Sequence, residues 1–269
     1  MPELPEMETY RTKLAERVTG QTITAVEVTR EKTINVPVEQ FVKEVQGASI
    51  TGVERRAKYV IFKLSTGKSL LVHLMLGGLM HVAEAGEDLE RTKQVILSFG
   101  ERKLLFIGLR LGYLHLLTEE QLAETFRELG PEPLEPAFTL AAFLELMEKK
   151  RGALKTTLVN QKFIAGIGNL YSDEICYHAQ LLPTRQTNEL AHQEKENLYR
   201  SILAVLKRGI QYGGYIDLPI FKGDTVTGGY NDHCFVYDRE GEPCDRCGQT
   251  IIKDEISSRK TFYCKNCQQ

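Results

Sequence analysis

Several features are missing from this 269-residue chain, and each absence narrows what it can be. It contains no tryptophan and no run of 18 apolar residues, so a membrane-spanning helix is excluded. The opening Met1-Pro2-Glu3-Leu4-Pro5-Glu6 has neither a basic leader nor an apolar core. A signal peptide is therefore not expected, and the chain reads as cytoplasmic. A basic excess is missing as well: 34 Lys and Arg stand against 36 Asp and Glu. By halves the balance is 19 basic against 22 acidic over residues 1–150 and 15 against 14 over 151–269. Neither half announces nucleic acid by its charge, although phosphates respond to a local patch and not to a sum. Internal repeats and low-complexity segments are also absent. What is present, 42% hydrophobic and 26% charged residues, describes a globular protein large enough for one big domain or two ordinary ones.

Cysteine is scarce but clustered. Four of the six fall in the last 26 residues, as Cys244-x2-Cys247-x16-Cys264-x2-Cys267. In a chain without an export signal this spacing argues for metal and against disulfides. Four thiolates close a tetrahedral shell, so the expectation is one structural Zn2+ with no open position for chemistry. Thr250-Ile251-Ile252 and Thr261-Phe262-Tyr263 have strand composition, which makes the connection a β-hairpin whose folding energy comes largely from the metal. Cys176 and Cys234 match no spacing and are read as buried thiols.

Periodicity divides the rest. Met7, Tyr10, Arg11, Leu14 and Val18 step by three and four, a short amphipathic helix ended by Gly20. Strand-like runs follow at 22–28, 49–53, 59–64, 69–74, 95–99 and 103–107, separated by turn-prone residues. Helices rarely separate these strands, so a sandwich is favoured over a parallel sheet. Gly130-Pro131-Glu132-Pro133-Leu134-Glu135-Pro136 reads as a linker. Helical patterns then occupy about 139–150, 153–160, 169–180 and 189–211, before a Gly-rich stretch from Gly213 to Tyr230. The expected organisation is a multidomain α+β chain. An N-terminal β-sandwich with its helix spans 1–117 and a linker 118–137. A helical domain spans 138–235 and the four-cysteine zinc-finger hairpin 236–269.

The N-terminus carries the sharpest chemical suggestion. Proline in second position is small enough to permit removal of Met1, leaving Pro2 with a free secondary amine. With a reference pKa of about 7.7–8.0, an α-amine is partly unprotonated at neutral pH and can attack a sugar C1′ to form an iminium. Glu3 and Glu6 lie within four residues of it. One can protonate the ring oxygen while the other positions the amine.

Five pieces then occur in one order: Pro2-Glu3-Leu4-Pro5-Glu6-x-Glu8-Thr9, Arg55-Arg56-Ala57-Lys58-Tyr59, Gly130-Pro131-Glu132-Pro133-Leu134, Gly166-Ile167-Gly168-Asn169-Leu170-Tyr171 and the cysteine tail. Together they resemble the formamidopyrimidine-DNA glycosylase/endonuclease VIII family of bifunctional DNA repair enzymes, from Pro2 to Cys267. The resemblance implies Pro2 as Schiff-base nucleophile, Glu3 as general acid at O4′, Glu6 as a supporting acid and Lys58 as a phosphate contact that assists catalysis. It places a helix–two-turn–helix element at about 153–180, with Lys155 and Asn169 on phosphates, and Arg259 of the finger on phosphates beside the flipped nucleotide. The implied reaction on double-stranded DNA is extrusion and excision of an oxidised or ring-opened base, then β,δ-elimination. Monomeric action and no organic cofactor are also implied.

Two segments depart from the family pattern. The formamidopyrimidine branch fills the vacated base position with a Met and an Arg-x-Phe pair. Here Leu76 stands at the Met position, and Leu109 and Leu111 at the Arg and Phe positions. Aliphatic wedges can occupy an unstacked step but cannot hydrogen-bond an orphaned base. Arg110 is expected to substitute only if its loop is shifted. Asp217-Leu218-Pro219-Ile220-Phe221-Lys222 likewise differs from the usual lesion-covering loop. The lesion therefore stays open, as do two alternatives: an abasic-site lyase with little glycosylase activity, and a damaged-DNA binding protein.

Overall fold

The computed structural model describes residues 1–269 and divides into two compact units: Met1–Arg127 with Tyr212–Gly229, and Glu128–Gln211 with Tyr230–Gln269.

The first unit begins with helix α1 (Leu4–Val18), whose buried face is the expected Met7, Tyr10, Leu14, Val18 stripe. Strand β1 (Ala25–Val28) and helix α2 (Val38–Val45) follow. Then come β2 (Ile50–Arg56), β3 (Tyr59–Leu64), β4 (Ser69–His73), β5 (Leu79–Ala83), β6 (Lys93–Phe99), β7 (Arg102–Ile107), β8 (Tyr113–Leu117) and helix α3 (Glu119–Phe126). The strands form two four-stranded antiparallel sheets, ordered β1-β6-β7-β5 and β2-β3-β4-β8. One core holds the inner faces of both sheets together with Met7, Tyr10 and Leu14 of α1.

The outer faces are covered too. Leu122 and Phe126 of α3 pack on Ile61, Leu71 and Leu117, and Leu89 and Leu218 pack on Leu79, Ile96 and Leu105. Every residue of β4 and β5 is accordingly buried, which replaces alternation with continuous apolar runs.

Two boundaries differ from expectation. The expected linker at 118–137 contains α3, started by a Thr118 cap and held by apolar contacts to the second sheet. The segment Tyr212–Gly229, expected in the helical domain, belongs to the first unit. The Val82 amide donates to Ile220 O at 2.7 Å, and Ile220 lies in the core. Asp224 accepts from Ile220 N at 3.0 Å and faces Lys13 Nζ of α1 at 3.0 Å. Burial alone would raise this carboxyl, but Thr227, the Ile220 amide and Lys13 bring it down to about 2.

The second unit holds α4 (Leu140–Glu148), α5 (Leu154–Leu158), α6 (Asn169–Ala179) and α7 (His192–Gln211), then the hairpin β9 (Ile252–Ile256) and β10 (Arg259–Tyr263). Gly130 belongs to this unit because it sits against the turn after α5. Its amide donates to Gln161 O at 2.8 Å, and a Cβ there would meet Phe163 O at 2.6 Å. No helix of the chain is long and apolar enough to cross a membrane.

Candidate active site

Prolines at 2 and 5 stiffen the entry to α1, and Glu3 is its N-cap residue. Glu6, at the third helical position, reaches back so that the Glu3 amide donates to Glu6 Oε2 at 2.7 Å. Both carboxyl groups thereby accept from backbone amides of the first turn. Pro2 is buried, Glu3 is 2% exposed and Glu6 1%. Two buried acids at a helix N-terminus are tolerable because unsatisfied amides and the dipole favour negative charge there.

A partner for Glu6 arrives from far along the chain. The Tyr215 amide donates to Glu6 Oε1 at 3.1 Å. Gly214, at φ +71°, permits this approach, since a Cβ there would stand 2.5 Å from the same oxygen. Tyr215 and Gly214 were invisible as site residues in the sequence. Only the Gly213-Gly214 pair hinted at a close backbone approach.

Lys58 occupies the two-residue turn between β2 and β3, next to Ala57 at φ +52°. It is 5% exposed. Its charge reaches the N-terminal amine and the His73 ring. Burial first, and Lys58 second, push His73 down to about 4, so the ring is neutral at pH 7. The Met75 amide donates to His73 Nδ1 at 3.2 Å, which leaves the ring proton on Nε2. Arg55 Nε meets Glu8 Oε2 at 2.8 Å and so ties β2, which leads into the Lys58 turn, to α1, which carries Glu6 and is capped by Glu3.

In the second unit, Gln161 organises the turn between α5 and α6. Its Nε2 donates to Val159 O and Ile167 O at 2.9 and 2.7 Å, and its Oε1 accepts from Gly166 N at 2.9 Å. Gly166 has φ +95° and Gly168 caps α6. Asn169 Nδ2 donates to Lys260 O at 3.0 Å, joining α6 to the hairpin, while Asn169 Oδ1 is buried without a partner. Lys155 departs from the expected phosphate ligand. It is fully buried, 2.5 Å from Asp173 Oδ1 and 3.2 Å from Asn169 O. Burial pushes Asp173 up to about 7 against the pull of Lys155, and Asp173 Oδ2 accepts from Phe262 N at 3.1 Å. Lys155 thus braces α6 against β10 instead of facing solvent.

Arg259 opens β10 at the exposed tip of the hairpin, after Ser257 and Ser258 at φ +50° and +59°. Behind it, the four Sγ atoms of Cys244, Cys247, Cys264 and Cys267 lie within 4.8 Å of one another. The Cys244–Cys267 and Cys247–Cys264 separations are 3.8 and 3.5 Å. A zinc–sulfur length of about 2.3 Å gives tetrahedral edges of about 3.8 Å, so the set fits one zinc ion. The Tyr177 hydroxyl lies 3.2 Å from Cys244 Sγ.

Comparison with known proteins accounts for the whole length. The formamidopyrimidine-DNA glycosylase N-terminal domain matches residues 1–113, the H2TH domain of the same enzymes residues 129–217, and the zinc finger found in FPG and IleRS residues 241–269. The formamidopyrimidine-DNA glycosylase of Lactococcus lactis is 34% identical over 272 residues, and that of Listeria innocua 35% over 274, each comparison covering all of both chains. The chain belongs to the formamidopyrimidine-DNA glycosylase family. A Lactococcus lactis FPG mutant bound to a Fapy-dG containing DNA has a TM-score of 0.92 to this chain at 33% identity, over all of both. The Lactococcus lactis Fpg bound to an abasic site containing DNA gives 0.92 at 32%, over 99% of each.

Within this formamidopyrimidine-DNA glycosylase framework the wedge differs from expectation at one residue. Leu76 and Leu111 are each 62% exposed and Arg110 is exposed, but Leu109 is fully buried in the sandwich core. Its amide donates to Gln94 Oε1 at 2.9 Å and its carbonyl accepts from Arg30 at 3.3 Å. A Cβ on Gly78 or Gly112 would come within 2.8 or 2.9 Å of a Leu109 methyl. The loop is therefore locked with Arg110 outward, and the exposed side chains of the expected wedge are Leu76, Arg110 and Leu111. Leu109→Arg, which would restore the residue at the aligned position, is expected to cost about 3–5 kcal/mol by burying an uncompensated charge. Leu111→Ala should stay within about 0.5 kcal/mol of the parent. Denaturant unfolding of both variants checks this, and parental stability for Leu109→Arg would refute the locked loop.

Proposed function

We propose that this chain is a base-excision repair glycosylase with abasic-site lyase activity, acting on double-stranded DNA that carries an oxidised or ring-opened base or an abasic site. The observation that carries this reading is the convergence of Pro2, Glu3 and Glu6, all buried, at one helix N-terminus, with Lys58 near enough to act on the terminal amine. The DNA complexes of the related Lactococcus lactis enzyme supply the substrate class.

In this reading Met1 is removed and Pro2 attacks C1′. Burial pushes the Met1 amine below its ordinary value of 8.0, and the same burial acts in that direction on a Pro2 amine. Glu3 donates the proton to O4′ while Glu6 holds the Glu3 amide and with it the first turn of α1. Lys58 grips a phosphate beside the lesion. Neutral His73 offers Nε2–H to the same backbone. In the helical unit, Asn169 and Arg259 hold further phosphates. The zinc ion holds the hairpin that carries Arg259 and takes no part in the chemistry. The protein acts as a monomer in the cytoplasm.

Borohydride trapping on duplexes bearing a panel of lesions or an abasic site tests the reading. A covalent adduct is expected with protein lacking Met1 and is expected to vanish in Pro2→Gly. No adduct on any duplex, with Met1 removal verified by mass, would refute the enzyme. Adducts confined to the abasic duplex would refute base excision and leave the lyase.

A further inference from the structure

Tyr215 does more in this structure than position Glu6. Its hydroxyl accepts from the Met1 α-ammonium at 3.0 Å and donates to the Met1 carbonyl oxygen at 2.7 Å. Its own backbone amide is fixed on Glu6 Oε1. The chain reaches that point through Gly213 and Gly214, both in the left-handed region, with Gly213 packed so closely on the Val226 carbonyl that a Cβ would stand 2.2 Å from it. The ring therefore swings from an anchored base beside the Pro2 nitrogen.

The Met1 atoms have a chemical meaning at this place. In the unprocessed chain the carbon bonded to the Pro2 nitrogen is the Met1 carbonyl carbon, which bears that nitrogen, one oxygen and one carbon. Once Met1 is removed and Pro2 has attacked the sugar, C1′ takes the same bonding position, bearing the Pro2 nitrogen, O4′ and C2′. Matched by element, the Met1 carbonyl oxygen corresponds to O4′ and Met1 Cα to C2′.

We infer that the Tyr215 hydroxyl is a hydrogen-bond donor to the sugar O4′ in the adduct between Pro2 and C1′, acting beside Glu3 as the ring opens. The inference rests on the Pro2 nucleophile proposed above. The Pro2 lone pair forms the N–C1′ bond as the bond from C1′ to the damaged base breaks. That electron pair leaves with the base, which takes up the proton the amine releases. The C1′–O4′ bond then breaks, its pair passing to O4′, which receives a proton from the Glu3 carboxylic acid. The nitrogen lone pair closes the C1′=N⁺ iminium, and Glu3 is left as carboxylate. Tyr215 keeps its proton throughout and strengthens its hydrogen bond as charge gathers on O4′, which is where a preorganised donor lowers a barrier.

Tyr215→Phe removes only the hydroxyl and keeps both the ring and the amide that holds Glu6. In single-turnover trapping on a duplex containing a ring-opened purine, the variant should form adduct about 10–100-fold more slowly, the worth of one hydrogen bond to a charging atom. Its affinity for a duplex with a tetrahydrofuran abasic analogue, which cannot react, should stay within a factor of three of the parent, and its thermal midpoint should be unchanged. Parental rates of adduct formation in Tyr215→Phe would overturn the inference and leave the Pro2 reading standing. A slowed rate matched by an equal loss of tetrahydrofuran-duplex affinity would also overturn it, since the hydroxyl would then act in binding alone. Absence of adduct from the parent protein without Met1 would instead sink the Pro2 reading itself.

Discussion

Glu3→Gln is expected to lower base excision by about 10²–10⁴-fold, the usual worth of a positioned general acid, with little change in affinity for a non-reactive abasic duplex. The glutamine amide preserves the size of the side chain at the N-cap of α1 and leaves untouched the backbone amide that donates to Glu6. What it removes is a transferable proton in a place 2% exposed to solvent, where bulk water is poorly placed to supply one. A cut in rate without a cut in binding marks an interaction made only in the transition state. Single-turnover excision and fluorescence-anisotropy binding, measured on one preparation, separate the two. A rate within threefold of the parent would remove Glu3 from the acid role.

Loss of the metal should be the second large effect. The core around the finger consists of Tyr177, Val236, Ile251, Phe262 and two of the ligands themselves, Cys244 and Cys264. So small an apolar cluster leaves the metal as the dominant folding term, with apparent binding energies of about 10–16 kcal/mol in isolated zinc-finger peptides. Cys264→Ser, or a strong chelator, is expected to melt the β9–β10 hairpin and release Arg259 from its place. Duplex affinity should fall, and the slope of log affinity against log salt should flatten by about one unit for the lost phosphate contact. Arg259→Ala should flatten the slope equally while leaving the hairpin folded. Zinc content, amide exchange over 252–263 and salt titrations of both variants check this. An unchanged slope in Cys264→Ser would show that the hairpin contributes no phosphate contact.

The parts of the fold legible in the sequence were those with local signatures. Met7, Tyr10, Leu14 and Val18 described α1 because one helical face is buried, and the paired Cys-x-x-Cys knuckles described the metal set because its spacing is rigid. Helix α2 has the same kind of signal, Val38, Phe41, Val42 and Val45 at helical intervals, but at eight residues it is too short to stand out among the strands. Strand β5 lacked alternation because its two faces are both covered. At the site, Glu3 and Glu6 were legible through their nearness to Pro2. Lys155 was not: nothing local separates a lysine facing DNA from one closed on Asp173 18 residues away. The exposure of Arg110 in place of Leu109 depends on Gly78, Gln94 and Gly112 together, three positions on separate segments. The return of Tyr212–Gly229 to the sandwich had no periodicity to reveal it, because an irregular segment is placed by single contacts such as those of Ile220 and Asp224.

The hydrogen bond from the Tyr215 amide to Glu6 spans 209 residues of chain. Translation proceeds at about 5–20 residues per second, so roughly 10–40 s separate the synthesis of the carboxylate from that of its clasp. During that interval a nascent chain carries Glu6 without the backbone contact that holds its carboxylate. The contact that Gly214 permits therefore forms only after the helical unit through α7 has been made.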